Sequence, residues 1–309
     1  MKMKNRYHDY NTYLKELFGR RVQKISLDAG LGCPNREGGI SGKGCIYCDP
    51  RGSGTGAGVL KGLSVKEQLT SGIAWAKKRY GAERYIAYFQ SFTNTYAPVE
   101  ILQDLYSNAL SCQGMVGLSI GTRPDCIDRE KLELIYSYTE KYLVWIEYGL
   151  QSSHDATLAA INRGHDVKAF VDAVKMTAEY GINICAHVIL GLPGETRDMM
   201  LETARFLSDQ PINGVKIHSL YVTRGTMLAR MYSDGGFSCM ERDEYIEALI
   251  DFLELLPPEF IIQRVTGDPS RADLVAPYWT LEKTKNLNLL ENRLEERDTW
   301  QGKNFRRSA

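Results

Sequence analysis

The sequence of 309 residues lacks any long apolar run, and its mean hydropathy is −0.31. A helix that crosses a membrane needs about 18 consecutive apolar residues, and no stretch comes near that length. The basic opening MKMKNRYHDY also lacks the apolar segment of a secretory signal. We therefore expect a cytoplasmic protein with no membrane partner.

The sequence also lacks the paired cysteines and histidines of a four-ligand zinc site. It has seven cysteines, an odd number that does not suit a disulfide framework. The one Cys-X-X-Cys pair is Cys45 and Cys48. Four further cysteines are scattered singly and are predicted to pack as small apolar side chains: Cys112, Cys126, Cys185 and Cys239. The pattern favours metal or redox chemistry where the cysteines cluster.

Cys33 joins the pair through a glycine-rich stretch, CPNREGGISGKGCIYC. The spacing of Cys45 and Cys48 lets both sulfurs face one centre, and the glycines allow the chain to bring Cys33 back to the same point. Thiolates are soft ligands that select zinc or iron–sulfur clusters. Three thiolates would leave one iron of a [4Fe–4S] cluster open for chemistry. The spacing alone allows such a cluster, a zinc ion completed by a remote histidine, or a thiol redox pair.

The net charge is zero, but the charges are unevenly distributed. Lys and Arg total 38, as do Asp and Glu. Residues 1–84 hold 16 basic and 7 acidic side chains, which gives this part +9 and the remainder −9. Such a distribution is typical either of solvated helix faces or of a molecule with one basic face.

Short β-rich runs alternate with longer helical patterns from Val22 onward, separated by Gly, Pro or Asn. The predicted strands are Val22–Leu27, Tyr85–Gln90, Val116–Thr122, Leu143–Gln151, Asn183–Leu190 and Val215–Tyr221. The predicted helices are Val65–Tyr80, Val99–Ser111, Arg129–Lys141, Val167–Tyr180 and Thr196–Ser208. Repeated βαβ units predict an α/β fold with a parallel sheet, either a barrel or an open twisted sheet. Active sites of such folds lie where the strands end.

The final part of the chain follows a boundary loop after Ser233. It contains a predicted helix near Glu241–Leu255, an apolar strand Phe260–Val265 and a charged helix near Thr280–Arg297. About seventy residues are few for an independent domain. The predicted organisation is a basic N-terminal segment (1–21), a core (22–233) and a small C-terminal α/β extension packed on the core (234–309).

The cysteine loop resembles that of the radical S-adenosylmethionine (SAM) enzymes. In that superfamily three cysteines follow the first strand of a six-fold βα series, with an aromatic residue before the last, here Tyr47. The usual spacing between the first two cysteines is much shorter than it is here, and a lengthened spacing is similar to the catalytic subunit of the Elongator complex. FGRRVQKISLDAGLGCPNREG with GKGCIYC resembles its small bacterial relatives of the YhcC/YtqA type. The resemblance extends from about Arg6 to Trp279.

This resemblance implies a partial (β/α)6 radical SAM barrel over residues 22–233. Cys33, Cys45 and Cys48 are then expected to hold a [4Fe–4S] cluster that binds SAM through its open iron. An external one-electron reductant would trigger cleavage of SAM to methionine and a 5′-deoxyadenosyl radical, which abstracts a substrate hydrogen.

Polar residues at the strand ends are the expected SAM contacts. By resemblance to the oxygen-independent coproporphyrinogen oxidase branch, Gln151 contacts the ribose and Arg163 the carboxylate, which suits the paired donors of a guanidinium. Ordinary turns, a helix cap and core packing are the structural alternatives. His187 stands where that branch has an acidic residue, so its contact with SAM stays open. The other expected SAM contacts are Gln90, Thr93, Asn94, Arg123, Asp125, Gly191, His218 and Leu220.

Elongator-type relatives act on the C5 substituent of the tRNA wobble uridine. The resemblance therefore implies tRNA as the partner and conversion of a carboxymethylaminomethyl group to aminomethyl, with a partner methyltransferase as a candidate for the next step. Arg264 and Asp268 are the substrate-side candidates, and Arg20, Arg21 and Lys24 are expected to contact RNA. The alternatives are a radical SAM enzyme acting on a small metabolite or porphyrin-like acid, and a non-catalytic zinc-binding RNA module.

Overall fold

Seven parallel strands form one curled sheet, a half-barrel with helices on its outer face. The computed structural model describes residues 6–49, 52 and 62–307, so residues 1–5 of the predicted basic segment lie outside it. The sheet order is β1-β2-β3-β4-β5-β6-β8, and β7 pairs with β9 in a separate antiparallel ribbon. The strands are β1 (Val22–Leu27), β2 (Arg84–Phe89), β3 (Met115–Thr122), β4 (Leu143–Gln151), β5 (Asn183–Leu190), β6 (Gly214–Ser219), β7 (Val222–Thr223), β8 (Ile261–Arg264) and β9 (Leu274–Ala276).

Helices follow most strands, as parallel pairing requires. They are α1 (Tyr10–Phe18), α2 (Val65–Tyr80), α3 (Val99–Leu110), α4 (Arg129–Tyr136), α5 (Asp155–Ala160), α6 (Val167–Ala178), α7 (Arg197–Ser208), α8 (Met227–Ser233), α9 (Arg242–Leu255) and α10 (Lys283–Glu296). Short 3-10 helices cover Pro124–Cys126 and Tyr278–Leu281. None of these described helices combines the length and apolarity that a membrane crossing needs.

The predicted α/β architecture is confirmed. The bounds of β1, β4 and β5 coincide with the prediction. Strand β4 is a largely apolar run buried on both faces of the sheet, whereas β1 mixes buried apolar with half-buried polar residues. Helix α2 also has the predicted bounds, since Ser64 and Glu67 form a reciprocal capping box at its start. The predicted helix from Arg129 is wrong at its end, because the helix stops at Tyr136 and the chain continues in turns.

Helix α1 was not predicted, and it closes one end of the half-barrel. The Asp9 side chain caps its first turn by accepting hydrogen bonds from the backbone of Asn11 and Thr12. The helix packs against β1 and β8, the two edge strands of the sheet. The ring of Tyr10 meets that of Trp145 edge-on at 6.0 Å. This aromatic contact seals the barrel interior beneath the strands.

The C-terminal part contributes a strand to the main sheet. Strand β8 pairs in parallel with β6, so the barrel continues beyond the six strands predicted for the core. Helix α9 packs against α7, and α10 packs against α9. Arg297, next to the end of α10, binds the carboxylates of Glu247, Asp251 and Glu254 on α9.

Candidate active site

A cavity of about 730 Å³ lies within the half-barrel and extends beyond the carboxyl ends of its strands. It brings together most of the residues singled out in the sequence. Those that line it are Cys33, Cys45, Cys48, Gln90, Thr93, Arg123, Gln151, Arg163, His187, His218, Leu220, Arg264 and Asp268. Asn94, Asp125 and Gly191 are not among the described residues that line it.

Two asparagine amides hold the cysteine loop against the segment that follows α5. Asn35 is fully buried, and its Nδ2 donates to the Asn162 carbonyl at 2.7 Å. The Asn162 Nδ2 donates in return to the Gly44 carbonyl at 2.6 Å. These two bonds place Cys45 beside Arg163, although the two residues are far apart in sequence.

Arg163 joins the cysteine loop to the end of β4. Its Nη2 donates to the Gly149 carbonyl at 2.7 Å, and its Nη1 lies 3.6 Å from the Cys45 sulfur. Burial alone would raise the pKa of the Cys45 thiol, but the charge and hydrogen bond of Arg163 outweigh it and lower that pKa. A Cβ on Gly149 would lie 2.6 Å from the guanidinium, so this approach requires glycine.

Arg123 and Asp125 support Arg163 from the end of β3. The Arg123 Nε and Nη2 donate to both carboxylate oxygens of Asp125 at 2.8 Å. The Arg123 Nη1 donates to the Arg163 carbonyl at 2.9 Å. Asp125 therefore orients Arg123, while Arg123 itself lines the cavity.

The end of β2 turns sharply where the sequence predicted SAM contacts. Ser91 and Phe92 have positive φ angles of 83° and 57°, which non-glycine residues adopt rarely and mainly where the surroundings enforce it. The Asn94 side chain donates to two backbone carbonyls, Ser91 and Gly121, and so holds this turn. The Thr93 hydroxyl is buried and has no hydrogen-bond partner among the described residues. It is therefore an available polar contact at the cavity wall.

Gly191 lies in a different place from the other predicted SAM contacts. With Met240 and the start of α7, it lines a neighbouring cavity of about 460 Å³. Its φ of +87° is left-handed, and a Cβ there would lie 2.9 Å from the Met240 sulfur. Glycine is thus required both by the turn after β5 and by the close approach of Met240.

The barrel interior holds a charged cluster that the sequence analysis missed. Glu147 on β4 is fully buried, and its Oε1 accepts from Lys24. Its Oε2 accepts from Lys216 at 3.0 Å and lies 2.8 Å from the His187 Nε2. Lys216 also donates to the Tyr88 hydroxyl at 2.6 Å. The two lysines lower the pKa of Glu147 well below its usual value against the opposing effect of burial.

The expected position of Lys24 is wrong. We expected it on an RNA-binding face, but the structure places its ammonium inside the barrel, where it also donates to the Gln263 Oε1 at 2.8 Å. The alternation of polar and apolar residues along β1 is the same for solvent and for a polar barrel interior, which explains the error. His187 likewise binds Glu147, and burial lowers its pKa to about 4.

The substrate-side candidates line the same cavity, where β8 ends. The Arg264 guanidinium is 4.0 Å from the Asp268 carboxylate, and Lys283 approaches that carboxylate at 3.8 Å. The rings of His218 and His187 lie 5.5 Å apart between this end and the Glu147 cluster.

The residues present fit an iron–sulfur cluster with SAM better than a zinc ion. Among the residues that the structure describes, no three His, Cys, Asp or Glu side chains are grouped so as to hold one metal ion. In a cluster each thiolate binds a different iron, so three cysteines around one cavity suffice. The unpartnered Thr93 hydroxyl, with Arg163 and Gln151, supplies polar contacts for SAM in the same cavity.

Comparisons with known proteins agree with this fit. The Radical SAM superfamily model matches residues 30–207, and the Radical SAM C-terminal domain model matches 212–296. The uncharacterized protein YtqA of Bacillus subtilis is 38% identical over 308 residues, covering 98% of this chain and 94% of its own. The solved Elp3 of the archaeon Methanocaldococcus infernus has the same fold, with a TM-score of 0.67 at 17% identity over 91% of this chain and 64% of its own.

A shorter match extends to a protein with a named activity. The tRNA uridine(34) acetyltransferase of Dehalococcoides mccartyi is 28% identical over 156 residues, which are 50% of this chain and 33% of that protein. The cofactors of the matched superfamily are a [4Fe–4S] cluster and SAM. The chain therefore belongs to the radical SAM superfamily, in a small Elp3-like family together with YtqA.

Proposed function

We propose that this radical SAM enzyme modifies tRNA, converting the carboxymethylaminomethyl group at C5 of the wobble uridine to aminomethyl. The carboxymethyl methylene would lose a hydrogen atom to the 5′-deoxyadenosyl radical and an electron back to the oxidised cluster, which leaves an imine. Water then hydrolyses the imine, which breaks the bond between nitrogen and the carboxymethyl carbon and releases the two carbons as glyoxylate. The partial likeness to a tRNA uridine(34) acetyltransferase supports tRNA as the substrate class. The observation that carries the proposal is an exposed surface of aromatic and basic side chains, of which Trp75 and Tyr80 belong to the cavity lining. We call it the aromatic platform: Arg21, Trp75, Arg79 and Tyr80.

The aromatic platform is suited to an unstacked nucleotide. Trp75 is 55% exposed and lines the cavity together with Tyr80, whose ring meets it edge-on at 5.3 Å. The guanidinium groups of Arg21 and Arg79 lie 4.2 Å and 5.5 Å from the Tyr80 ring centre. Single-stranded nucleotides bind to proteins by stacking on such exposed aromatic rings, with cations nearby for the phosphates.

Charge around the aromatic platform matches a polyanion. The last turn of α2 carries Lys77, Lys78 and Arg79 in succession. This turn belongs to the part of the chain with the +9 excess, residues 1–84. A phosphate backbone bound here would release counterions, and a base turned inward from it would enter the cavity.

Different residues of the cavity would then bind the cluster, SAM and the substrate. When bound, the cluster and SAM supply a 5′-deoxyadenosyl radical, which needs an electron from an external reductant. Cys33, Cys45 and Cys48 would hold the cluster, and Arg163, Gln151 and Thr93 would orient SAM. The residues at the other end, Arg264 and Asp268, would bind the uridine substituent. The buried rings of Tyr10 and Trp145 pack together at the end of the barrel where the strands begin and would limit access of water from that side.

The test is mass spectrometry of tRNA nucleosides from cells that lack the gene. We expect carboxymethylaminomethyluridine to accumulate at the wobble position and aminomethyluridine, together with any product of a partner methyltransferase, to fall. Wobble nucleosides identical to those of the wild type would overturn the proposal and favour a small metabolite or porphyrin-like acid as the substrate.

A further inference from the structure

The Glu147 cluster leaves positive charge uncompensated inside the cavity. Both oxygens of Glu147 are occupied, Oε1 by Lys24 and Oε2 by Lys216 and His187. One buried carboxylate is thus shared by two ammonium groups. Buried charge that is not neutralised costs free energy, so this excess of positive charge favours binding of a further anion.

The surrounding side chains add to this excess rather than cancel it. Around these groups the described lining includes Lys24, Lys216, Arg264 and Lys283 against Glu147 and Asp268. The basic side chains stay in excess when Asp49, the other carboxylate of the lining, is added. His187 and His218 do not change the balance at neutral pH, because burial lowers the pKa of His187 to about 4 and that of His218 well below its usual value.

A free hydrogen-bond donor lies beside the lysines. The Gln263 Oε1 accepts from Lys24 at 2.8 Å, and its Nε2 is buried with no hydrogen-bond partner among the described residues. Nearby, the Arg264 guanidinium has only the long 4.0 Å contact with Asp268 among the ion pairs described. An unpaired buried amide costs free energy unless a ligand accepts from it.

The strand register sets the distance between this region and the cysteine end. Gly149, His187, Lys216 and Arg264 are register partners in one row across β4, β5, β6 and β8. Gly149 is the residue that accepts from Arg163 beside Cys45. Neighbouring strands are about 4.8 Å apart, so Lys216 lies roughly 10 Å along the sheet from that point. Lys216 is thus separated from the cysteine end by one strand, β5, while both line the same cavity.

We propose that Lys216, Gln263 and Arg264 form a carboxylate-binding subsite that takes the acidic end of the substrate side chain. The identity of that substrate as a modified uridine rests on the proposed function, whereas the subsite rests on the contacts above. A backbone phosphate is the less suitable occupant, because a nucleotide entering base-first keeps its phosphates near the aromatic platform. The innermost group is then the substituent of the base.

Two matched ligand pairs test the subsite in calorimetric titrations of the full-length, cluster-loaded protein. N-benzylglycine and benzylamine differ only by the carboxymethyl group, and 5-carboxymethylaminomethyluridine and 5-aminomethyluridine differ in the same way. A charge-assisted hydrogen bond contributes about 1.5–3 kcal/mol, so the acidic member of each pair should bind roughly 10- to 100-fold more tightly.

Substitutions test whether Lys216 and Arg264 cause the tighter binding of the acidic ligands. Lys216→Met should abolish most of the preference, and Arg264→Gln, which changes a partly exposed side chain and so keeps the fold intact, should reduce it about tenfold. Lys175→Gln on the exposed surface of α6 is the control and should keep the full preference.

The possible outcomes distinguish failure of the subsite from failure of the proposed function. No preference for the acidic member in either pair, or a preference that survives both Lys216→Met and Arg264→Gln, would overturn the subsite. A preference for N-benzylglycine that depends on Lys216, without any preference between the two nucleosides, would keep the subsite and overturn the uridine substrate.

Discussion

The Nζ atom of Lys216 lies 3.0 Å from Oε2 of Glu147, and both side chains are buried within the half-barrel. The pair joins β6 to β4 across the intervening strand β5. The Lys216 ammonium has three donors, and its hydrogen bonds to Glu147 and to the Tyr88 hydroxyl leave one for a further anion. The positive charge of Lys216 in the barrel interior is therefore the basis for the acidic substrate that we propose.

Carboxylate affinity should fall as the pH rises through about 8. Burial lowers the pKa of Lys216 to about 8 against the opposing charge of Glu147. Below that pH the ammonium is charged and attracts the ligand, and above it the amine is neutral and the attraction is lost. Titration of N-benzylglycine into the protein on either side of pH 8 measures the effect.

Neighbouring groups do not account for this pH dependence. Charged and titratable side chains face Lys216 from the surrounding strands: Lys24, Tyr88, Glu147, Cys185, His187, His218 and Arg264. The pKa values of Glu147, His187 and His218 are lowered and those of Tyr88 and Cys185 are raised, so these five groups do not change charge near pH 8. Lys216→Arg stays charged and should give a flat profile. A flat profile in the wild type would contradict the assignment.

Each of Cys33, Cys45 and Cys48 should be necessary for the cluster. Replacement of any one by Ala removes a thiolate ligand, so we expect the iron and sulfide content after anaerobic reconstitution to drop and SAM cleavage to be lost. Cys112→Ala is the control, because Cys112 packs against the hydrophobic core and does not line the cavity. Retention of a full cluster with SAM cleavage in Cys33→Ala would show that Cys33 is not a ligand.

Arg163→Ala should weaken SAM binding about tenfold to a hundredfold, the range expected for loss of a buried, charge-assisted hydrogen bond. A calorimetric titration of SAM into cluster-loaded protein measures this. The exposed Arg129 on α4 gives the matched control, Arg129→Ala, with unchanged affinity. Equal SAM affinity of wild type and Arg163→Ala would limit Arg163 to its contacts with Gly149 and Cys45.

Trp75→Ala should weaken tRNA binding while SAM affinity stays the same. Stacking of one base on an aromatic ring contributes about 1–3 kcal/mol, which corresponds to roughly 5- to 150-fold in affinity. Tyr136→Ala is the control, because Tyr136 is similarly exposed but lies on α4, outside the cavity lining. Filter binding of tRNA measures both variants, and equal losses in the two would argue against the aromatic platform.

The sequence predicted the sheet well because the strands are short apolar runs between turn residues, as for Leu143–Gln151. It did not predict α1, since the segment before β1 was interpreted only through its charge. The cysteine loop could be predicted because its three cysteines lie close together in the sequence. Lys24, Glu147 and Lys216 were missed because their ion pairs join strands far apart in sequence, and a charged residue facing a barrel interior looks the same as one facing solvent.

The central claim is tested most directly with purified components. Anaerobically reconstituted protein, SAM and a one-electron reductant are incubated with tRNA that carries carboxymethylaminomethyluridine, and the digested nucleosides are analysed by mass spectrometry. We predict that this nucleoside is replaced by aminomethyluridine as 5′-deoxyadenosine forms. Formation of 5′-deoxyadenosine with the wobble nucleoside unchanged would contradict the account.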